Sequence, residues 1–241
     1  MRYFIELSYN GKKYHGWQIQ PDAISVQEKL NAAISTVLQE KIEVVGAGRT
    51  DTGVHASQMF AHFDIESLIE GDVVHKLNSI LPNDIMVYHV FLVAEEKHAR
   101  FHAESRSYEY RIWLGRNPFL LDFSWQIHSQ KLDLFKMNEA AKVLLDYEDF
   151  QTFSKVKTEV YTFNCDVTRA FWTQEGDLLT FHISANRFLR NMVRAIVGTL
   201  VDVGLGRISI NDFKQIIESK NRSNAGLSVP AKGLFLTQIK Y

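Results

Sequence analysis

The residues best suited to chemistry lie in one short stretch, Gly46-Ala47-Gly48-Arg49-Thr50-Asp51-Thr52-Gly53-Val54-His55-Ala56. Glycine admits backbone conformations closed to other residues and lets a ligand approach the chain closely. An Asp set among glycines is thereby presented to a bulky substrate without neighbouring side chains in the way. Asp51 is the candidate reactive carboxylate and Arg49 its cationic neighbour. A bare Gly-rich connection whose Asp bonds its own turn has the same composition, so the loop gains weight only from what lies downstream. His55, His62, Asp51 and Asp64 contain metal-ligating types. His62, however, fits an alternating strand, and no metal is expected.

The elements that must position this loop follow from periodicity. Tyr3, Ile5, Leu7 and Tyr9 alternate with Phe4, Glu6 and Ser8, predicting a half-buried strand that ends at Asn10-Gly11. Ser25 and Glu28 form a capping box before a helical stripe of Leu30, Ala33, Ile34, Val37 and Leu38. Ile42 to Val45 is expected to be a strand delivering the loop, with Ser57 to Ile65 a second strand leaving it. Asp72 caps a short helix through Leu81, and Ile85 to Val93 is a strand. The first half therefore reads β-α-β-β-α-β.

The second half repeats the order without repeating the sequence. It comprises a strand at Ser105 to Leu114, a helix at Asp133 to Leu145, and a hairpin of Val167 to Glu175 with Leu178 to Ala185 about Gly176-Asp177. A long helix from Arg187 to about Val203 follows, then a smaller one capped by Ser209 with Asp212, and a last strand, Leu234 to Tyr241. The class is α+β, two split β-α-β-β-α-β halves with mainly antiparallel sheets and a cleft between them. The boundary falls near Ala103, giving halves 1–103 and 104–241. On the long helix, Arg187, Arg190, Arg194 and Gly198 fall opposite Phe188, Leu189, Met192, Val193, Ile196 and Leu200. Gly198 and Val201 leave the Arg194 side small and apolar, so Arg194 is expected to reach across a packed surface toward an acid or a phosphate.

Composition bounds the classes. The 241 residues are 46% apolar and 12% aromatic, ample for a packed core. Met1-Arg2 leads directly into strand alternation rather than a basic-then-apolar leader, and Arg190, Arg194 and Asp202 interrupt the most apolar helix. The expectation is a protein with no signal peptide and no bilayer span. Cys165 is the single cysteine, compatible with a reducing cytoplasm. With 27 Lys and Arg against 28 Asp and Glu, the net charge is −1, which alone argues against a nucleic-acid binder. Distribution qualifies this: Ile183 to Val201 holds no acid but three arginines, and Lys12 and Lys13 stand unopposed until Asp22.

Several motifs carry a resemblance. Tyr14-His15-Gly16-Trp17-Gln18, Ser25-Val26-Gln27-Glu28-Lys29-Leu30, the Gly48 to Ala56 loop, Phe101-His102-Ala103 before Arg106-Ser107-Tyr108-Glu109-Tyr110, Asn191 to Gly198, and Pro230-Ala231-Lys232-Gly233-Leu234-Phe235-Leu236 occur in the order found in the TruA family of tRNA pseudouridine synthases. The chain resembles that family over nearly its whole length. The resemblance implies an enzyme of the cytoplasm that isomerises uridines at positions 38, 39 and 40 of the tRNA anticodon arm, without a cofactor and as a homodimer.

It also implies roles. Asp51 matches the nucleophilic Asp, which burial would neutralise unless a cation holds it charged, and Arg194 matches the arginine that does so. Tyr108 matches the active-site tyrosine, able to stack on the target base and to take part in proton transfer. Tyr110 is left as packing. Arg49 matches the arginine that occupies the place of the flipped nucleotide, and Leu234 an apolar floor under the uracil. Thr52 stands where Ala is common, and Ser107 where a second arginine often sits. The alternative is a non-catalytic tRNA-binding protein holding phosphates through Lys12, Lys13, Arg100, Arg106 and Arg190, which has no need of a carboxylate facing a polyanion. A glycoside hydrolase would want two facing carboxylates, and only Asp51 has the loop context.

Overall fold

The computed structural model describes residues 1–128, 131–155 and 161–241. They form two compact units, Met1–Glu104 with Phe235–Tyr241, and Ser105–Leu234. The closing strand thus returns to the first unit.

Unit 1 contains β1 (Arg2–Tyr9), α1 (Val26–Leu38), β2 (Val45–Gly46), β3 (His55–Asp64), α2 (Val73–Ile80) and β4 (Ile85–Val93). β1 lies between β4 and β3, antiparallel to both. Alternation in β1 sends Tyr3, Ile5, Leu7 and Tyr9 into the core with Leu30 and Ile34 of α1, Met59 and Leu77. Ser25 caps α1 through the reciprocal bonds read from the sequence, its Oγ accepting from Glu28 N–H at 3.2 Å. The last strand of the chain, Leu234–Lys240, runs parallel to β3 with His55 opposite Phe235.

The expected strand at Ile42 to Val45 is cut to β2, two residues long. Side chains of α1 take up the backbone groups a strand partner would have used: Ser35 Oγ accepts from Ile42 N–H at 2.9 Å, Asn31 Oδ1 from Val44 N–H at 3.0 Å, and Gln27 Nε2 donates to Val44 O at 2.8 Å. The alternation of buried Ile42 and Val44 was a real signal. It marked an extended segment tied to a helix rather than to a sheet.

Unit 2 contains β5 (Ser105–Leu114), β6 (Trp125–Ile127), α3 (Leu134–Val143), β7 (Val167–Glu175), β8 (Leu178–Ala185), α4 (Met192–Gly204) and α5 (Ile210–Glu218); the strand Leu234–Lys240 is β9. β8 lies between β5 and β7, antiparallel to both, and the β7–β8 hairpin turns at Gly176 with φ 58°. β6 pairs parallel to β5, a three-residue element too short to show a period. α3 packs on β7 and on α4, while α5 packs on both α3 and α4.

The long helix begins at Met192 rather than Arg187. Asn191 adopts φ 67°, a left-handed conformation that stops the helix extending toward the N-terminus, and its Nδ2 bonds Ser228 Oγ. Arg187 and Arg190 therefore share no helix face with Arg194. Each is bound to the neighbouring coil instead, Arg187 Nη1 donating to Thr162 O at 3.4 Å and Arg190 O accepting from Lys155 N–H at 3.1 Å.

Candidate functional site

The loop bearing Asp51 is held from several directions within unit 1. Asp51 O accepts from Val54 N–H at 3.1 Å and Gly53 has φ 78°, the arrangement of a type II turn with glycine at its third position. Gly53 N–H donates to Tyr14 O at 3.2 Å, and Trp17 N–H to Thr50 O at 3.3 Å. Thr50 Oγ1 and Tyr9 Oη share a buried hydrogen bond of 2.8 Å. His55 Nδ1 accepts from Gly11 N–H at 3.1 Å while its ring stacks on Phe235 at 4.6 Å.

Glycines permit these close approaches. A Cβ on Gly11 would stand 1.9 Å from Val54 O, and one on Gly16 2.2 Å from Thr50 O. Gly48 differs, since a Cβ there meets nothing within 4 Å. The backbone on both sides of Asp51 is thus fixed by Gly11, Tyr14, Gly16 and Trp17, whose part in seating the loop sequence patterning did not reveal. Asp51 itself is half-buried and Arg49 is exposed. Tyr14 in turn donates to Asp84 Oδ1 at 2.5 Å, and burial followed by that bond raises its phenol pKa well above the usual range.

Unit 2 positions the other three residues. Tyr108 lies on β5 opposite Ile183, its ring meeting Phe188 edge-on at 5.1 Å and 87°. The chain before α4 is not helical, and Phe188 makes this contact from outside the helix. Arg194, in the first turn of α4, donates from Nε to Val229 O at 2.8 Å, and Val229 N–H donates back to Arg194 O at 3.3 Å. Tyr110, buried on β5, donates to Pro230 O at 2.9 Å; burial raises its pKa strongly and the nearby Arg194 charge partly opposes this. A Cβ on Gly233 would stand 2.8 Å from Tyr110 Cζ, so the Pro230-to-Leu234 segment closes directly onto that ring. Leu234 follows, 6% exposed. The small side of α4 is likewise packed: a Cβ on Gly198 would stand 1.9 Å from Leu227 O.

His55 and His62 each present Nδ1 to a backbone N–H, of Gly11 and of Ala99 respectively. Among the described residues no group of three or more His, Cys, Asp or Glu side chains is arranged to hold a metal ion. Nor is any helix among them long and apolar enough to cross a membrane.

The chain is α+β with mainly antiparallel strands, carrying the Asp51 turn in unit 1 and Tyr108, Arg194 and Leu234 in unit 2. Residues 140–241, which include Arg194 and Leu234, match the family model described as tRNA pseudouridine synthase. Over the full length the chain is similar to proteins named tRNA pseudouridine synthase A. It is 51% identical to that of Parabacteroides distasonis over 243 residues, 100% of this chain and 96% of the relative. It is 53% identical to that of Bacteroides fragilis with the same coverage, and 37% identical to that of Bacillus subtilis over 100% of this chain and 99% of the relative. The chain belongs to the tRNA pseudouridine synthase A family.

Proposed function

We propose that the protein converts uridine to pseudouridine in tRNA, at positions 38, 39 and 40 of the anticodon arm. The reaction breaks the bond from ribose C1′ to uracil N1, turns the base, and joins C1′ to C5. The C5 hydrogen leaves as a proton and N1 takes one up, so composition is unchanged and neither oxidant nor reductant is required.

Asp51 acts as the nucleophile that carries the ribosyl or uracil fragment while the base turns. The observation that carries this role is the type II turn, pinned to the Gly11-to-Trp17 segment on both sides, which fixes one carboxylate-bearing Cα. Arg194 is the cation that the family resemblance assigns to the reaction. Tyr108 stacks on the uracil, and its edge contact with Phe188 holds the ring ready for that task. Arg49, exposed on the loop, fills the gap left by the extruded nucleotide, and Leu234 lies beneath the base. Lys12, Lys13, Arg100, Arg106 and Arg190 bind phosphates. The enzyme works in the cytoplasm as a homodimer.

Release of tritium from tRNA labelled at uridine C5 tests the chemistry. The native protein releases label, and Asp51→Asn loses release by several orders of magnitude while remaining folded and tRNA-bound. Release surviving in the variant would remove Asp51 from the role. No release by the folded, tRNA-binding native protein would leave a binder that keeps the family's motifs.

A further inference from the structure

Beside the Asp51 loop, unit 1 contains a cavity of about 230 Å³ lined by Trp17, Gln18, Gln27, Val44, Val45, Gly46, Gly48, Arg49 and Arg100. Its back wall is preformed. Gln27 Oε1 accepts from Gln18 Nε2 at 2.8 Å and from Ile19 N–H at 3.0 Å, while Gln27 Nε2 donates to Val44 O at 2.8 Å. Trp17, 1% exposed, lies so close to Gly46 that a Cβ there would stand 2.4 Å from the indole nitrogen. Both amides and the indole are thus locked before any ligand arrives.

The lining residues include two arginines, a tryptophan, two valines and two glutamines, and no acidic residue. Planar guanidiniums are matched to phosphate oxygens, and an apolar wall with fixed amides suits a ribose or base edge. The volume is below the roughly 300–1,000 Å³ of drug-sized sites and many times the ~30 Å³ share of one water. It suits one nucleotide unit rather than a free multi-ring ligand. Gly48 precedes Asp51 by three residues, which places it within about 11 Å of Asp51 by chain length alone.

We infer that this cavity is a subsite for a single ribonucleotide of the substrate RNA neighbouring the target uridine, with its phosphate between Arg49 and Arg100. The inference rests on the isomerase reading, to which it adds a second point of grip. It gives Arg100 one particular phosphate to hold, and assigns a further residue, Gly48, as the point where the nucleotide passes closest to backbone.

The test uses the full chain with Arg100→Gln and Gly48→Ala. A methyl at Gly48 meets no protein atom within 4 Å, so the fold tolerates it and only an occupant of the cavity feels it. Both variants raise KM for tRNA about threefold or more, with the effect in KM rather than kcat. Arg100→Gln also reduces the slope of log affinity against log salt by about one. A scan of single methylphosphonate linkages around the target then finds one neutralised phosphate that weakens binding to the native protein and has no further effect on Arg100→Gln. KM and salt slope at native values in both variants would overturn the subsite. So would a weakened Arg100→Gln that couples to no single linkage, since that describes diffuse attraction. Failure of the isomerase reading is separately visible as absence of tritium release by the native protein.

Discussion

Three imidazoles in unit 1 hold one short segment. His62 Nδ1 accepts from Ala99 N–H at 3.2 Å, His102 Nδ1 from His98 N–H at 2.9 Å, and His98 Nδ1 from Arg100 N–H at 3.1 Å and Phe101 N–H at 3.3 Å. A ring nitrogen accepts only while unprotonated. Burial, then the Arg2 and His98 charges, push His62 down to about 4 against the smaller opposing pull of Asp64; burial and Arg2 lower His98 as well. The unfolded chain therefore takes up a proton near the ordinary histidine pKa of about 6.5, whereas folded His62 resists until about 4. Stability from His62 is complete above 6.5 and is lost as pH falls toward 4, on the order of 2–3 kcal/mol. Urea midpoints measured from pH 7 to 4.5 fall in the native protein and fall less steeply in His62→Gln. Parallel profiles would mean that His62 is not the group that titrates. Arg100, which lines the cavity beside the Asp51 loop, sits in this same segment, and its backbone N–H is held by the His98 ring.

At the scale of elements, α4 and the 225–230 segment form one fitted pair. Gly226 N–H donates to Thr199 Oγ1 at 2.9 Å, Arg194 and Val229 exchange two hydrogen bonds, and Gly198 leaves room for Leu227 O. Gly198→Ala forces its Cβ, which would otherwise stand 1.9 Å away, against that carbonyl. Stability falls by about 1–3 kcal/mol, read as a lower urea midpoint at unchanged slope. Isomerase activity falls further than stability alone requires, because Val229 O shifts with the segment and Arg194 with it. Retention of both would show that the segment yields freely. The sequence pattern made α4 visible through its apolar stripe and singled out Gly198 and Val201 as the small side, and that side is what the 225–230 segment covers. It placed the start five residues early at Arg187, because Phe188 and Leu189 continue the helical period across Asn191. Nothing in the period marks Asn191 as left-handed, since the bond from its side chain to Ser228 is a long-range contact. For the same reason Ile42 and Val44 read as a strand: burial alternates whether the backbone partner is a neighbouring strand or the side chains of α1. Elements whose hydrogen bonds are local, such as the Ser25 and Ser209 capping boxes and the Gly176 hairpin, were legible to the residue. The loop residues were legible as chemistry, whereas the Tyr9, Tyr14 and Gly16 contacts that seat them join positions more than thirty residues apart.

At the scale of the whole molecule, the net charge of −1 must be reconciled with a polyanionic substrate. A neutral total attracts tRNA weakly at distances beyond the Debye length of about 8 Å at physiological salt, so grip depends on where cations are clustered. Gly11–Lys13 forms a tight turn capped by Asn10, whose side chain accepts from Lys12 N–H at 3.1 Å. This turn adjoins the Tyr14-to-Trp17 segment that seats the Asp51 loop, so its lysines are carried on the same scaffold as that loop. Lys13 Nζ lies 3.8 Å from Asp84 Oδ2 and its side chain is 79% exposed, a pairing weak enough for a phosphate to compete with it. Replacing Lys12 and Lys13 together by Gln makes the slope of log affinity against log salt shallower by between about one and two. The loss of affinity is correspondingly greatest at low salt and shrinks as salt rises. Filter binding of unmodified tRNA over a salt series reads this directly. An unchanged slope would move the RNA-binding face away from the Gly11–Lys13 turn and leave the arginines to carry the attraction.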